Sequence, residues 1–154
     1  LEPRASAPAR RIAAIRRLAE AGVPTGVLLA PVIPFLNDHE LEAVLEQARA
    51  AGATMAAYIV LRLPHEVRDL FAEWLQVHRP LQRERIFAAL RALRGGRDND
   101  PRFGHRMSGS GPFAALLGQR FALARRRLGY VDDAAPLRSD LFQPPSGGRQ
   151  LALF

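Results

Sequence analysis

Two short apolar runs, 25–33 (TGVLLAPVI) and 55–63 (MAAYIVLRL), set the tightest limit on what this chain can fold into. Neither alternates polar with apolar residues. Continuous apolar character of that length belongs to strands covered on both faces, as in parallel sheets. Each run follows an amphipathic helical stretch that ends at a glycine. Over 8–21, Pro8 suits the first turn, and Ile12, Ile15, Leu18 and Ala19 form one stripe. Gly22 then supplies a left-handed cap. Over 37–51, Asn37 and Glu40 have capping-box spacing, Leu41, Val44, Leu45 and Ala48 face inward, and Gly52 closes the helix. Helix, glycine, strand, repeated, is the rhythm of parallel βα units, so the fold class is α/β. Pro31 lies near the end of the first run, where pairing must weaken or bulge. Pro64 stops the second.

Two strands are too few for a stable parallel sheet, and their partners are expected on the N-terminal side of Leu1. The start at Leu1 rather than Met reads the same way, as a chain entered partway through. Exposed apolar strand edges and barrel-interior residues are expected where that missing half belongs. After Pro64 the rhythm changes to helices over 66–78, 82–94 and 112–128, with a glycine-rich loop at 97–111. The expected division is 1–64 as βα units, 65–129 as a helical extension, and 130–154 as a Pro/Gly/Ser-rich flexible tail.

Composition excludes several functions. There is no cysteine, which removes disulfides, thiolate metal sites and cysteine nucleophiles from this chain. His39, His65, His78 and His105 are far apart and show no metal-ligand spacing. No signal peptide or membrane-spanning run is visible, so a soluble, cytoplasmic protein is expected and no membrane partner. The net charge of +7 favours phosphate partners. Every cationic side chain is arginine, however, and GC-rich coding accounts for that bias without any function.

In parallel βα architectures ligands bind at the C-terminal edge of the strands. Here that edge carries Ala30, Pro31, Val32, Ile33, Pro34 and Asn37 after one run, and Leu61, Arg62, Leu63 and Pro64 after the other. Apolar strand ends suit a flat heterocycle such as adenine, and Arg62 suits a carboxylate or phosphate. Plain core packing, with Arg62 in a surface ion pair, is the alternative.

More specific is the order of motifs. Leu1-Glu2-Pro3-Arg4, a helix, a strand ending in Pro31-Val32-Ile33-Pro34-Phe35-Leu36-Asn37-Asp38, then Leu61-Arg62-Leu63-Pro64, Arg94-Gly95-Gly96-Arg97 and Asp100-Pro101-Arg102-Phe103-Gly104 follow in sequence. This resembles the radical S-adenosylmethionine enzymes, in the DNA-repair-photolyase-like branch related to spore photoproduct lyase. The resemblance covers nearly the whole chain. It implies the C-terminal portion of a partial (βα)6 barrel, followed by a mostly helical extension. It also implies an enzyme, lyase-like, with a 4Fe–4S cluster in a CxxxCxxC loop and cleavage of S-adenosylmethionine to a 5′-deoxyadenosyl radical. That loop is not in this chain. By the resemblance, the strand ends Ala30, Pro31, Val32, Ile33, Leu61, Arg62 and Leu63 would pack on the adenine. Arg4 would reach the methionyl or ribose end. Phe35 stands where the family's turn is expected to carry glycine.

Two further segments are candidates for binding. Arg97, Arg102, His105 and Arg106 interleave with Phe103 and glycines in a basic loop, suited to nucleic acid; a structural loop with Asp98 and Asp100 paired to its own arginines is the alternative. The terminal Gln150-Leu151-Ala152-Leu153-Phe154 resembles the peptide with which bacterial repair and replication proteins bind the sliding clamp. Gln150, Leu151, Leu153 and Phe154 would be its contacts. A non-catalytic module that binds nucleic acid and clamp is therefore the competing function.

Overall fold

A computed structural model describes residues 5–97, 102–103, 105–131 and 140. The fold is mixed α/β. Helix α1 (Pro8–Glu20) leads into strand β1 (Gly26–Val32); a single 3-10 turn (Asp38–Glu40) and helix α2 (Leu41–Ala50) return to strand β2 (Met55–Val60). Helices α3 (Val67–His78), α4 (Arg83–Leu93) and α5 (Gly111–Leu128) follow, with another 3-10 turn at Pro80–Gln82 between α3 and α4.

β1 and β2 pair in parallel, Gly26 opposite Met55 through Leu29 opposite Tyr58. The register slips between Leu29 and Val32, around Pro31, which has no N–H to give to the ladder. The Ala30–Pro31 peptide is cis. Pairing resumes where the Leu61 N–H donates to the Val32 carbonyl at 2.9 Å.

The two faces of this sheet differ. Val27, Leu29, Ala56 and Tyr58 pack against the core, and Tyr58 meets Phe121 of α5 with ring centroids 4.7 Å apart. The alternate residues Leu28, Ala30 and Ala57 are exposed, Leu28 to 57 %. Side chains alternate along a strand, and among the described residues the helices that bury the sheet cover one face. Apolar continuity alone does not reveal that.

One buried cluster joins the βα units to the later helices: Ile33, Leu41, Leu45 and Val60 share it with Leu75, Ile86, Leu90 and Leu117. Gly52 lets α1 close on α2. Its φ is +102°, and a Cβ there would stand 2.5 Å from the Ala19 Cβ. α5 is fastened to α2 by Arg120, whose Nε and Nη2 donate to the two Glu42 carboxylate oxygens at 2.8 and 2.7 Å. That guanidinium holds the Glu42 carboxyl below its ordinary pKa. Arg127 adds a second ion pair to Glu46. Tyr130, expected at the head of a flexible tail, is instead buried, and its hydroxyl donates to the Leu45 carbonyl at 2.7 Å.

Candidate functional site

The C-terminal ends of β1 and β2 open onto a cleft of about 570 Å³. Ala30, Pro31 and Ile33 line it from the first strand, and Leu61 and Leu63 from the second. With Asn37, six of the residues singled out at this edge are thus brought together. Val32 is not among them; it is buried, and it lines a smaller neighbouring hollow with Arg11. Arg62 also stands outside the cleft lining. Its Nε is buried without a hydrogen-bond partner. Arg4 lies outside the described residues.

The opposite wall comes from α3: Val67, Leu70, Phe71 and Trp74. Sequence reading assigned these to a separate helical extension. The signal was present, because Val67, Leu70 and Trp74 form an i, i+3, i+7 stripe beside the Phe71–Leu75 stripe. Together they make an apolar arc wider than one core contact needs. Leu70 is 63 % exposed.

Asn37 shapes the floor. Its spacing to Glu40 suggested a capping box, but its side chain turns back onto the strand. Oδ1 accepts from the Ile33 N–H at 2.7 Å and Nδ2 donates to the Pro31 carbonyl at 3.1 Å. No side-chain cap bond forms at the following helix. The strand end has no ladder partner for the Ile33 N–H, and a buried donor without an acceptor is costly. Asn37 supplies that acceptor and brings an amide to the cleft. Phe35 completes the turn with φ +61°, the region that glycine prefers. Its ring is held under the Arg85 guanidinium at 3.8 Å and tilts against Phe113 at 5.7 Å.

Arg94 ties this edge to the basic loop. It is 2 % exposed. Its Nη2 donates to the Leu61 carbonyl at 3.0 Å, and its Nη1 to the carbonyls of His105 and Arg106 at 3.1 and 2.8 Å. The Val60 N–H donates to the Met107 carbonyl at 2.9 Å. The loop is therefore stitched to the end of β2. Arg97, Arg102 and His105 are exposed, and Arg106 lies with its guanidinium carbon 5.4 Å from the Phe103 ring centroid. Asp98, Asp100 and the terminal residues Gln150, Leu151, Leu153 and Phe154 lie outside the described residues.

Among the described residues no group of three or more His, Asp or Glu is placed to hold a metal. The chain has no cysteine, so its own side chains do not fit a thiolate-bound 4Fe–4S cluster. No described helix is long and apolar enough to cross a membrane.

Over 70 residues the chain is 39 % identical to a protein of Mycobacterium tuberculosis (strain H37Rv) and equally to one of Mycobacterium bovis, both described as uncharacterized. The matched stretch is 44 % of this chain and 21 % of each relative. The chain thus spans about a fifth of the length of these curated relatives. No family profile and no solved structure matches it.

Proposed function

We propose that this chain is the adenosyl-binding C-terminal portion of a radical S-adenosylmethionine enzyme, lyase-like and acting in DNA repair. The observation that carries the reading is the convergence of Ala30, Pro31, Ile33, Leu61 and Leu63 with Trp74 on one cleft at the strand ends. A cleft of about 570 Å³ falls in the ordinary range for small-molecule sites. Its apolar walls suit the faces of a purine, Trp74 offers an aromatic surface, and the Asn37 amide is the polar group at the floor. Arg62, with a buried unpartnered Nε, is the cationic group nearest in sequence to β2. The partial (βα)6 barrel, with its remaining strands and the three-cysteine loop supplied from outside this chain, belongs to the same reading. The exposed face of Leu28, Ala30 and Ala57 supports it, since apolar sheet surface of that kind is ordinarily covered. No step through the cluster is assigned to this chain, because it has no residues for one.

The test is the coding sequence upstream of Leu1. An in-frame CxxxCxxC loop, preceded by strands with the same βα rhythm, is expected. An open reading frame extended to its start without such a loop contradicts the family reading.

A second reading rests on the exposed arginines of the loop at 97–106 and the net charge of +7. In it the chain is a non-catalytic module for nucleic acid, with the terminal QLALF peptide bound to a sliding clamp. Equal clamp binding with and without the last five residues would remove the tail from that reading.

A further inference from the structure

Phe103 is 88 % exposed, an unusual position for a phenyl ring. Hydrogen bonds tie the described residues on either side of it. The carbonyl of Arg102 accepts from the Arg106 N–H at 3.0 Å, and the carbonyl of His105 accepts from the Gly109 N–H at 2.9 Å, so the segment turns back on itself. The Ser110 N–H donates to the Leu93 carbonyl at 2.9 Å. Gly109 is fitted to this site: its φ is +77°, and a Cβ would stand 3.1 Å from both the Leu93 carbonyl oxygen and a Leu93 methyl group. Arg94 then locks the carbonyls of His105 and Arg106 to the end of β2. Arg94 and Gly109 thus anchor His105, Arg106 and Gly109 to the end of β2 and to α4, next to the exposed ring.

The chemistry around that ring is cationic. Arg106 lies over one side of it, and Arg97, Arg102 and His105 are exposed beside it in the sequence. Residues 91–111 hold five arginines against two aspartates. A flat apolar ring with guanidinium groups next to it matches a base and its phosphates. Duplex bases keep their faces stacked on one another, whereas an unpaired base offers a π-face to an aromatic side chain. We infer that the loop is a docking site for single-stranded nucleic acid, in which an unpaired base stacks on Phe103 and the adjacent phosphates meet Arg102, Arg106 and Arg97. The inference rests on the nucleic-acid reading of this loop and stands apart from the adenosyl cleft; a probe without adenine separates it from the cleft, and the duplex arm separates base stacking from general phosphate binding.

The experiment is fluorescence anisotropy of the full chain with labelled oligothymidylate, labelled oligouridylate and a mixed-sequence duplex of the same length. Phe103→Ala is expected to weaken binding to at least one single strand by roughly five- to a hundredfold, the range for loss of one base–aromatic stack. Phe103→Trp is expected to restore it, and duplex binding to be unchanged in both. The strand that shows the larger loss identifies DNA or RNA as the partner. Because Phe103 is exposed, both variants are expected to melt with the parent chain. Absence of single-strand binding by the parent would overturn the proposal. So would unchanged binding by Phe103→Ala, an equal loss on duplex, or a failure of Phe103→Trp to restore affinity.

Discussion

The guanidinium of Arg94, at the end of α4, donates to the backbone carbonyl of Leu61, just past the end of β2, across 33 residues of chain. The same side chain holds the carbonyls of His105 and Arg106. One buried cation therefore satisfies backbone acceptors from two segments and fixes the cleft edge and the basic loop relative to each other. Replacing it by Met would leave the part-buried Leu61 and Arg106 carbonyls without this donor, while the His105 carbonyl keeps the Gly109 N–H. Arg94→Met is expected to destabilise the fold by about 3 kcal/mol. Arg94→Lys is expected to recover only part of this, because an ammonium cannot span the fork. Urea denaturation of the three proteins measures it; a Lys variant as stable as the parent would show that charge alone suffices.

Phe35 pays a conformational cost in the left-handed region and keeps its ring against Arg85 and Phe113. Phe35→Ala and Phe35→Gly both remove the ring, but only alanine retains the Cβ clash. Phe35→Gly is therefore expected to be the more stable of the two by about 1 kcal/mol. The comparison cancels the lost ring contacts. Equal stability, read from parallel melts, would mean that the turn relaxes out of the positive-φ conformation once the ring is gone.

This turn also shows what was legible in the sequence. The two strands, the glycine-ended helices and the slip at Pro31 followed from apolar runs and backbone chemistry that act locally. The expectation of glycine at position 35 came from the family resemblance instead; the backbone there has φ +61°, with a phenylalanine in it. Asn37 was assigned the wrong task because two uses of its amide, capping forward or pinning the strand end behind, have the same spacing signal. The structure takes the second, where the Ile33 N–H would otherwise be orphaned. Trp74 and Arg94 were missed as parts of the site for a different reason. Both reach the strand ends from helices distant in sequence, and nothing local announces that packing. Val32 was included with its neighbours, although the irregular register turns it into the core.

The clamp between α2 and α5 sets an acid limit. Arg120 holds the Glu42 carboxyl below its ordinary value of 4.5. A carboxyl depressed on folding contributes stability above its unfolded pKa, and that contribution is lost as pH falls through the folded value. Stability is therefore expected to decline as pH drops below about 5, and Glu42→Gln is expected to flatten that part of the profile. Denaturant midpoints across this range check it. An unchanged slope in Glu42→Gln would assign the acid sensitivity to other carboxylates.

The central claim is that the cleft between the strand ends and α3 receives an adenosyl group. Trp74 lines that cleft and is the single tryptophan of the chain, so its emission reports on the site without interference from another indole. Titration of the full chain with S-adenosylmethionine, with 5′-deoxyadenosine and with methionine tests the claim most directly. A saturable change in Trp74 emission is expected with the first two and not with methionine, and Ala30→Phe, which fills the cleft mouth, is expected to abolish it. A chain whose Trp74 emission does not respond to either adenosyl compound, or responds equally in Ala30→Phe, would contradict the account.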